Sequence, residues 1–182
     1  LLERQGEYTS RISVSQDLRD MKSSCEFGNE KLTGVAGCED YRLMPFALTY
    51  VGQLTQLSGS FGGSLSVATN LGGSDQASYK LAAGDRQTNT KAPIWRVSTA
   101  ISQNLPADFI WRANAQAQYA SSILVLSEQL GLAGSSAVRG FAERAFASDR
   151  GFVVQNELHT PDLAALTKLP GNLRALAFAD YG

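Results

Sequence analysis

The chain predicts an all-β fold, a transmembrane antiparallel up-and-down β-barrel, and three observations carry that expectation. Apolar and polar residues alternate with period two in seven segments, which is the strand signature. The connections between those segments run long, short, long, short, long, short, as in a meander whose loops cluster at one end and whose tight turns cluster at the other. No apolar run reaches the roughly 18–20 residues of a membrane-spanning helix, whereas a barrel strand needs only about 9–11 residues with one apolar face.

The clearest strand covers 109–120. Phe109, Trp111, Ala113, Ala115, Ala117 and Tyr119 share one face, and Arg112, Asn114, Gln116 and Gln118 share the other. A wholly apolar face with aromatics at both ends is that of a lipid-facing strand with interfacial girdles. In 60–69, Phe61, Gly63, Leu65 and Val67 oppose Ser60, Gly62, Ser64 and Ser66. In 94–104, Trp95, Val97, Thr99 and Ile101 oppose Arg96, Ser98, Ser102 and Asn104. The segment 8–18 sets Tyr8, Ile12, Val14 and Leu18 against Thr9, Arg11, Ser13 and Asp17. A weaker pattern over 43–53 places Met44, Phe46, Leu48 and Tyr50 together. In 151–160, Gln155, Glu157 and His159 oppose Phe152, Val154 and Leu158, with Asn156 out of place for a lipid face. The last strand is expected over 173–181.

The long connections are 19–42, 70–93 and 121–150, and the short ones are 53–57, 105–108 and 161–172. In hydrocarbon every backbone N–H and C=O needs a partner, so an open sheet edge cannot persist. Seven strands do not close a bacterial up-and-down barrel, which takes an even number. The expectation is therefore that residues 1–182 are part of one barrel domain, with further strands outside them. The start at Leu1-Leu2-Glu3-Arg4, without methionine or a signal region, fits the same expectation of a fragment.

A formal net charge of −1 and no basic run interleaved with aromatics argue against a nucleic-acid surface. A single histidine, His159, and no nucleophile elbow argue against a hydrolase triad, so no catalytic residue is assigned. Gly72-Gly73-Ser74-Asp75 does not make a phosphate loop. Cys25 and Cys38, 13 positions apart in one polar loop, lack the partners a zinc site needs. Either a local disulfide or two free thiols fits their spacing. Neither a cofactor, a metal nor a small-molecule substrate is expected.

Arg11, Arg96 and Arg112 fall on the polar, lumen-side faces, where charge next to water is cheap. They form a solvated wall or touch a chain passing through. In the last strand Arg174, Leu176, Phe178 and Asp180 share a face, and the opposite face, Leu173, Ala175, Ala177, Ala179 and Tyr181, is uncharged. A charge facing lipid at mid-membrane would cost several kcal/mol, so Asp180 is expected to face the lumen. The loop 121–150 carries Val138-Arg139-Gly140-Phe141 at its tip, with Gly131, Gly134 and Gly140 expected to supply sharp turns at positive φ. A structureless loop of about 30 residues is uncommon and is usually functional or disordered.

Val138-Arg139-Gly140-Phe141, then Asp149-Arg150-Gly151, Asn156-Glu157-Leu158, Thr160-Pro161 and Phe178-Ala179-Asp180-Tyr181-Gly182, resemble the sixth extracellular loop and following strands of the Omp85 superfamily. The resemblance is specific over 130–182 and is nearest to the two-partner secretion branch, the haemolysin and filamentous-haemagglutinin transporters of ShlB/FhaC/HecB type. It implies a sixteen-stranded barrel in the outer membrane of a Gram-negative bacterium, and upstream a signal peptide, a plug helix and two periplasmic POTRA domains. It also implies that the loop folds back into the barrel and that Arg139 pairs with Asp180 of the F-x-D-x-G motif Phe178, Asp180, Gly182. Glu157, on the same polar face, is expected as a second acceptor, and Phe141 is expected to pack inside the barrel, against its wall, or simply within its own loop. The implied function is export of a large unfolded partner of haemolysin or adhesin type, with Arg139 bracing or gating the pore. The alternatives are a barrel-assembly factor of the same superfamily and a soluble β-sandwich binding module.

Overall fold

The structure, a computed structural model, describes residues 7–23, 25–28, 30–32, 34–84, 86–164 and 171–182. Seven long strands form one antiparallel sheet in sequence order: β1 (Tyr8–Gln16), β2 (Tyr41–Gln56), β3 (Gly59–Gly73), β4 (Ile94–Asn104), β5 (Ile110–Ala120), β6 (Gly151–His159) and β7 (Leu176–Tyr181). Each strand pairs with its neighbour in the chain, so every ladder bond between them is satisfied without a crossover. A sandwich would need a second sheet packed on this one. Here the only other sheets among the described residues are two-residue ladders in loops.

Register turns the alternation of single strands into two continuous faces. One row across the sheet reads Ile12, Tyr50, Leu65, Val97, Ala117 and Phe152. The row beside it, one residue along, reads Arg11, Val51, Ser64, Ser98, Gln116 and Val153. The first faces outward as an apolar band, and its large side chains are exposed. The second lines the lumen, where the hydroxyls of Ser64 and Ser98 hydrogen-bond at 2.7 Å. A one-residue slip would exchange the two faces of a strand, so the register is strongly specified. On the outer face Gly52 leaves room for the Tyr8 ring, whose hydroxyl meets that of Tyr50 at 2.5 Å.

The strands depart from the sequence expectation at their ends. β2 and β3 run longer, into the segments expected as loops, and residues 19–21 pair with 41–43 beyond β1. β7 begins at Leu176 rather than near Leu173, because Thr160 and Asp162 take the backbone N–H groups of Ala175 and Leu173 at the turn. The short connection 161–172 includes residues 165–170, which lie outside the described residues.

The long loops pack together at one end of the sheet. The second contains a helix, α1 (Gln76–Ala82), that alternation alone did not signal. Asp75 caps it by accepting the Ser78 N–H at 2.7 Å, and that bond holds the Asp75 carboxyl below its usual range. Tyr79 and Ala83 of this turn bury against Leu43 of β2 and Val125 of the third loop, with Tyr41, Ala82 and Ile123 around them. This small apolar cluster joins β2 to the second and third loops. In the first loop Cys25 and Cys38 are bonded, with Cα atoms 5.5 Å apart. Gly37 of that stapled segment donates its N–H to the Leu81 carbonyl at 2.8 Å, tying it to α1. Closing a loop of this length removes about 3 kcal/mol of chain entropy from the unfolded state on a chain-entropy account.

Two outcomes follow from the faces and from the joint. Val97→Arg, in the outward apolar row, is expected to destabilise the full-length barrel by about 2–4 kcal/mol in urea unfolding from lipid bilayers. Ser98→Arg, one residue along and facing water, should cost less than half of that; equal losses would refute the assigned faces. Burial first, then the nearby carboxylates, pushes the Tyr79 phenol up from 10.0 to about 12. The neutral phenol is therefore the form the fold prefers. Its contribution is complete below pH 10.0 and disappears as pH rises to about 12. Absorbance titration of phenolate should show one late-ionising tyrosine that is missing from Tyr79→Phe.

Candidate functional site

The third long loop turns back along the lumen face of the sheet, and its tip is held by Arg139. The guanidinium donates from Nε to Asp180 Oδ2 at 2.7 Å and from one terminal nitrogen to Asp180 Oδ1 at 2.6 Å. This is the parallel two-bond fork that a planar guanidinium offers a carboxylate. The backbone N–H of Arg139 also reaches Asp180 Oδ2, at 3.0 Å. The other terminal nitrogen pairs with Glu157 Oε1, and Glu157 Oε2 lies 3.0 Å from His159 Nε2. The guanidinium carbon sits 4.0 Å above the centre of the Phe178 ring, within cation–π range. Asp180 is buried, at 3 % side-chain exposure, whereas Arg139 and Glu157 keep about a fifth to a quarter of theirs.

β6 and β7 bring these acceptors together because their register sets Glu157 opposite Phe178 and Gln155 opposite Asp180. Arg112 of β5 faces Glu157 from the other side in the same row. Among the described residues Arg112 and Arg11 make no ion pair, and both lie on lumen rows. Arg96 does make one: it contacts Glu128 and Gln118.

The glycines around the tip have separate reasons. Gly140 has φ +95° and Gly134 φ +120°, conformations that strain any L side chain. Gly131 does not have positive φ, contrary to the sequence expectation. It pairs with Ala147 in a two-residue ladder, and its missing side chain admits the Arg144 stem at 3.3 Å. Gly182 of the F-x-D-x-G motif is a close-approach site: an added Cβ would meet Val138 Cγ2 at 3.0 Å. Val138 of the tip therefore seats on the strand where Gly182 leaves room. Of the places expected for Phe141, the structure shows its own loop: it is exposed and meets Phe146, ring centres 5.9 Å apart and edge to face.

Sequence reasoning missed the neutral polar partners of the tip. Gln155 donates to the carbonyls of Ser135 and Ala137 at 3.2 and 2.8 Å, and Gln116 donates to that of Ser136 at 3.3 Å. Glu143 accepts the Ser135 N–H at 2.7 Å, which lowers its carboxyl below the usual range. The available signal was that Gln116 and Gln155 sit in lumen-side rows beside the loop. It did not say which carbonyl each would reach.

Comparison with known proteins bears on the same geometry. The family described as "Haemolysin secretion/activation protein ShlB/FhaC/HecB" matches residues 11–182. The chain belongs to this family. Its outer-membrane setting follows, and the apolar outer face is the surface that such a setting requires. Outer membrane transporter CdiB of Escherichia coli is 34 % identical over 90 residues, 48 % of this chain and 15 % of that protein. CdiB of Escherichia coli O6:K15:H31, strain 536, matches to the same extent. The match thus spans about a seventh of these relatives' length. The solved structure of CdiB from Escherichia coli superposes with a TM-score of 0.75 at 22 % identity, covering 98 % of this chain and 32 % of that one. That likeness establishes the β-barrel architecture.

The two carboxylates at Arg139 are expected to contribute unequally. Asp180→Asn leaves a nearly buried fork without its charge, so exchange of the Arg139 amide hydrogen should accelerate by about 10²-fold or more. Glu157→Gln, at a partly exposed single contact, should accelerate it by about tenfold or less. Hydrogen exchange on the full-length protein in bilayers reads both, and the reverse ranking would contradict the fork as the principal anchor.

Proposed function

We propose that this chain is the C-terminal part of the sixteen-stranded barrel of a two-partner secretion transporter, in which the Arg139 loop braces the pore. Residues 1–182 would form part of a single barrel domain, preceded in the whole protein by a plug helix and two POTRA domains. The substrate would be a large unfolded secretory protein of haemolysin or adhesin type, threading from the periplasm and folding outside. Folding outside disfavours return, so no nucleotide is needed. Lipid contacts the outer apolar rows. The observation that carries the reading is the loop tip fixed inside the sheet by Arg139, Asp180 and Glu157, in a chain of this secretion family.

A loop held by a few polar contacts occupies one discrete position and leaves it when they break. Arg11 and Arg112 would then be the charged groups that a passing chain meets, whereas Arg96, expected with them from the sequence, is engaged by Glu128. Family membership favours secretion over the barrel-assembly alternative, and two POTRA domains in the whole protein would separate them further.

Arg139→Asp and Asp180→Arg, each alone, place like charges together and should cut release of the partner protein by about tenfold or more. The barrel should still insert and keep its heat-dependent gel shift. The double reversal re-creates an opposite-charge pair and should recover part of the release. Wild-type release by both single variants would remove the loop from the transport step.

A further inference from the structure

Among the described residues Glu128 is the most deeply buried carboxylate outside the Arg139 site, at 2 % side-chain exposure, and the proposed function does not use it. It lies in a short helical turn, Leu126–Glu128, at the base of the same loop. Arg19, beyond the end of β1, donates to Oε1 at 2.6 Å, and Arg96 of β4 donates to Oε2 at 3.0 Å. Gln118 of β5 holds the arrangement from below: its Oε1 accepts from Arg96 Nε at 2.8 Å, and its Nε2 donates to the Glu128 carbonyl at 2.9 Å. The loop base is also closed on itself. Asp149 accepts from the Leu124 N–H and from Gln129, and Arg144 donates to the carbonyls of Leu126 and Gln129. A carboxylate this buried is stable only with both cations in place.

The two anchors lie apart. Arg96 pairs with Gln118 on β5, whereas Asp180 aligns through Gln155 with Asn114 on β5. Four residues along and three strand spacings across amount to roughly 13 Å by 14 Å. A polar cavity lined by Ser66, Arg96, Gln116, Gln118, Glu143 and Arg144 lies between loop and wall beside the base. We infer that Glu128 is a second, independent anchor, a positioning residue that fixes the loop base to β4 and to the segment after β1. Release of Arg139 then frees only the tip. This rests on the reading of the loop as the pore's inner brace.

The test uses the full-length transporter in the outer membrane, with single reporters at the base (Ser127→Cys) or the tip (Ala137→Cys) and a membrane-impermeant maleimide. Within residues 1–182 Cys25 and Cys38 are bonded to each other, so the reporter is the reactive thiol of this part, and the parent protein without a reporter sets the background. Glu128→Ala should raise base labelling about tenfold while tip labelling stays within about twofold, and Arg139→Ala should do the opposite. Glu128→Asp should recover part of the protection. If Glu128→Ala does not give a heat-modifiable barrel, Glu128→Gln, which keeps shape without charge, carries the same comparison. Unchanged base labelling, or tip labelling that rises as much as in Arg139→Ala, overturns the second anchor. Release of the partner, measured in parallel, reports separately on the transport reading. Labelling as expected with wild-type release in both variants would leave the anchor standing and sink the brace.

Discussion

A guanidinium withdrawn from bulk water must find an acceptor for each of its N–H groups, and the position of the long loop depends on where Arg139 finds them. Asp180 takes two side-chain donors and the backbone N–H of the same residue, and Glu157 takes another. Net stabilisation from such a pair is small once desolvation is counted, whereas breaking one half is expensive. The value of the contact is therefore positional. It makes one placement of the loop far better than its neighbours, because the fork matches a carboxylate only in one plane and Phe178 closes one face of the guanidinium.

That placement is possible only because the sheet has no freedom of register. The outer rows are apolar from Ile12 across to Phe152, and a slip by one residue would bring Arg112, Gln116 and Glu157 to the apolar side. Lipid thus selects the register, and the register delivers Asp180 and Glu157 to the lumen on adjacent strands. A constraint acting on the outside of the wall fixes the chemistry inside it. Gly182 belongs to the same logic, since a Cβ there would crowd Val138 Cγ2 at 3.0 Å just past the end of β7.

Seven strands, their faces and the Arg139 motif were legible because each is written in short-range pattern: period two, or a compact tetrapeptide beside glycine. What was not legible depends on long-range closure. The α1 segment lacks alternation and is stabilised by Leu43 and Val125, which lie 36 and 46 positions away from Tyr79 in sequence. Glu128 reads as an ordinary polar residue in Leu126-Ser127-Glu128, and only folding brings Arg19, 109 residues earlier, to it. Gly131 looked like a turn glycine because three glycines stood close together, but its role is space for Arg144. The motif left Phe141 open between the wall and its own loop, and it meets Phe146, five residues along that loop.

The charges on the lumen side are distributed so that the strongest cations are already engaged. Arg139 is held by two carboxylates, and Arg96 and Arg19 by Glu128, whereas Arg11 shares its row with Val51, Ser64, Ser98 and Gln116, and Arg112 stands between Ser102 and Glu157. Neutral hydroxyl and amide groups exchange hydrogen bonds with water at little net gain. On the proposed transport reading, a wall rich in them would offer an extended chain many equivalent, shallow contacts rather than one deep site. Deep sites would hold a passing segment, and an unfolded backbone carries the same donors and acceptors at every residue. On the proposed transport reading, the ion pairs concentrated on the loop would fix the brace, and a mostly neutral wall, with Arg11 and Arg112 as its charges outside ion pairs among the described residues, would let a passing chain go.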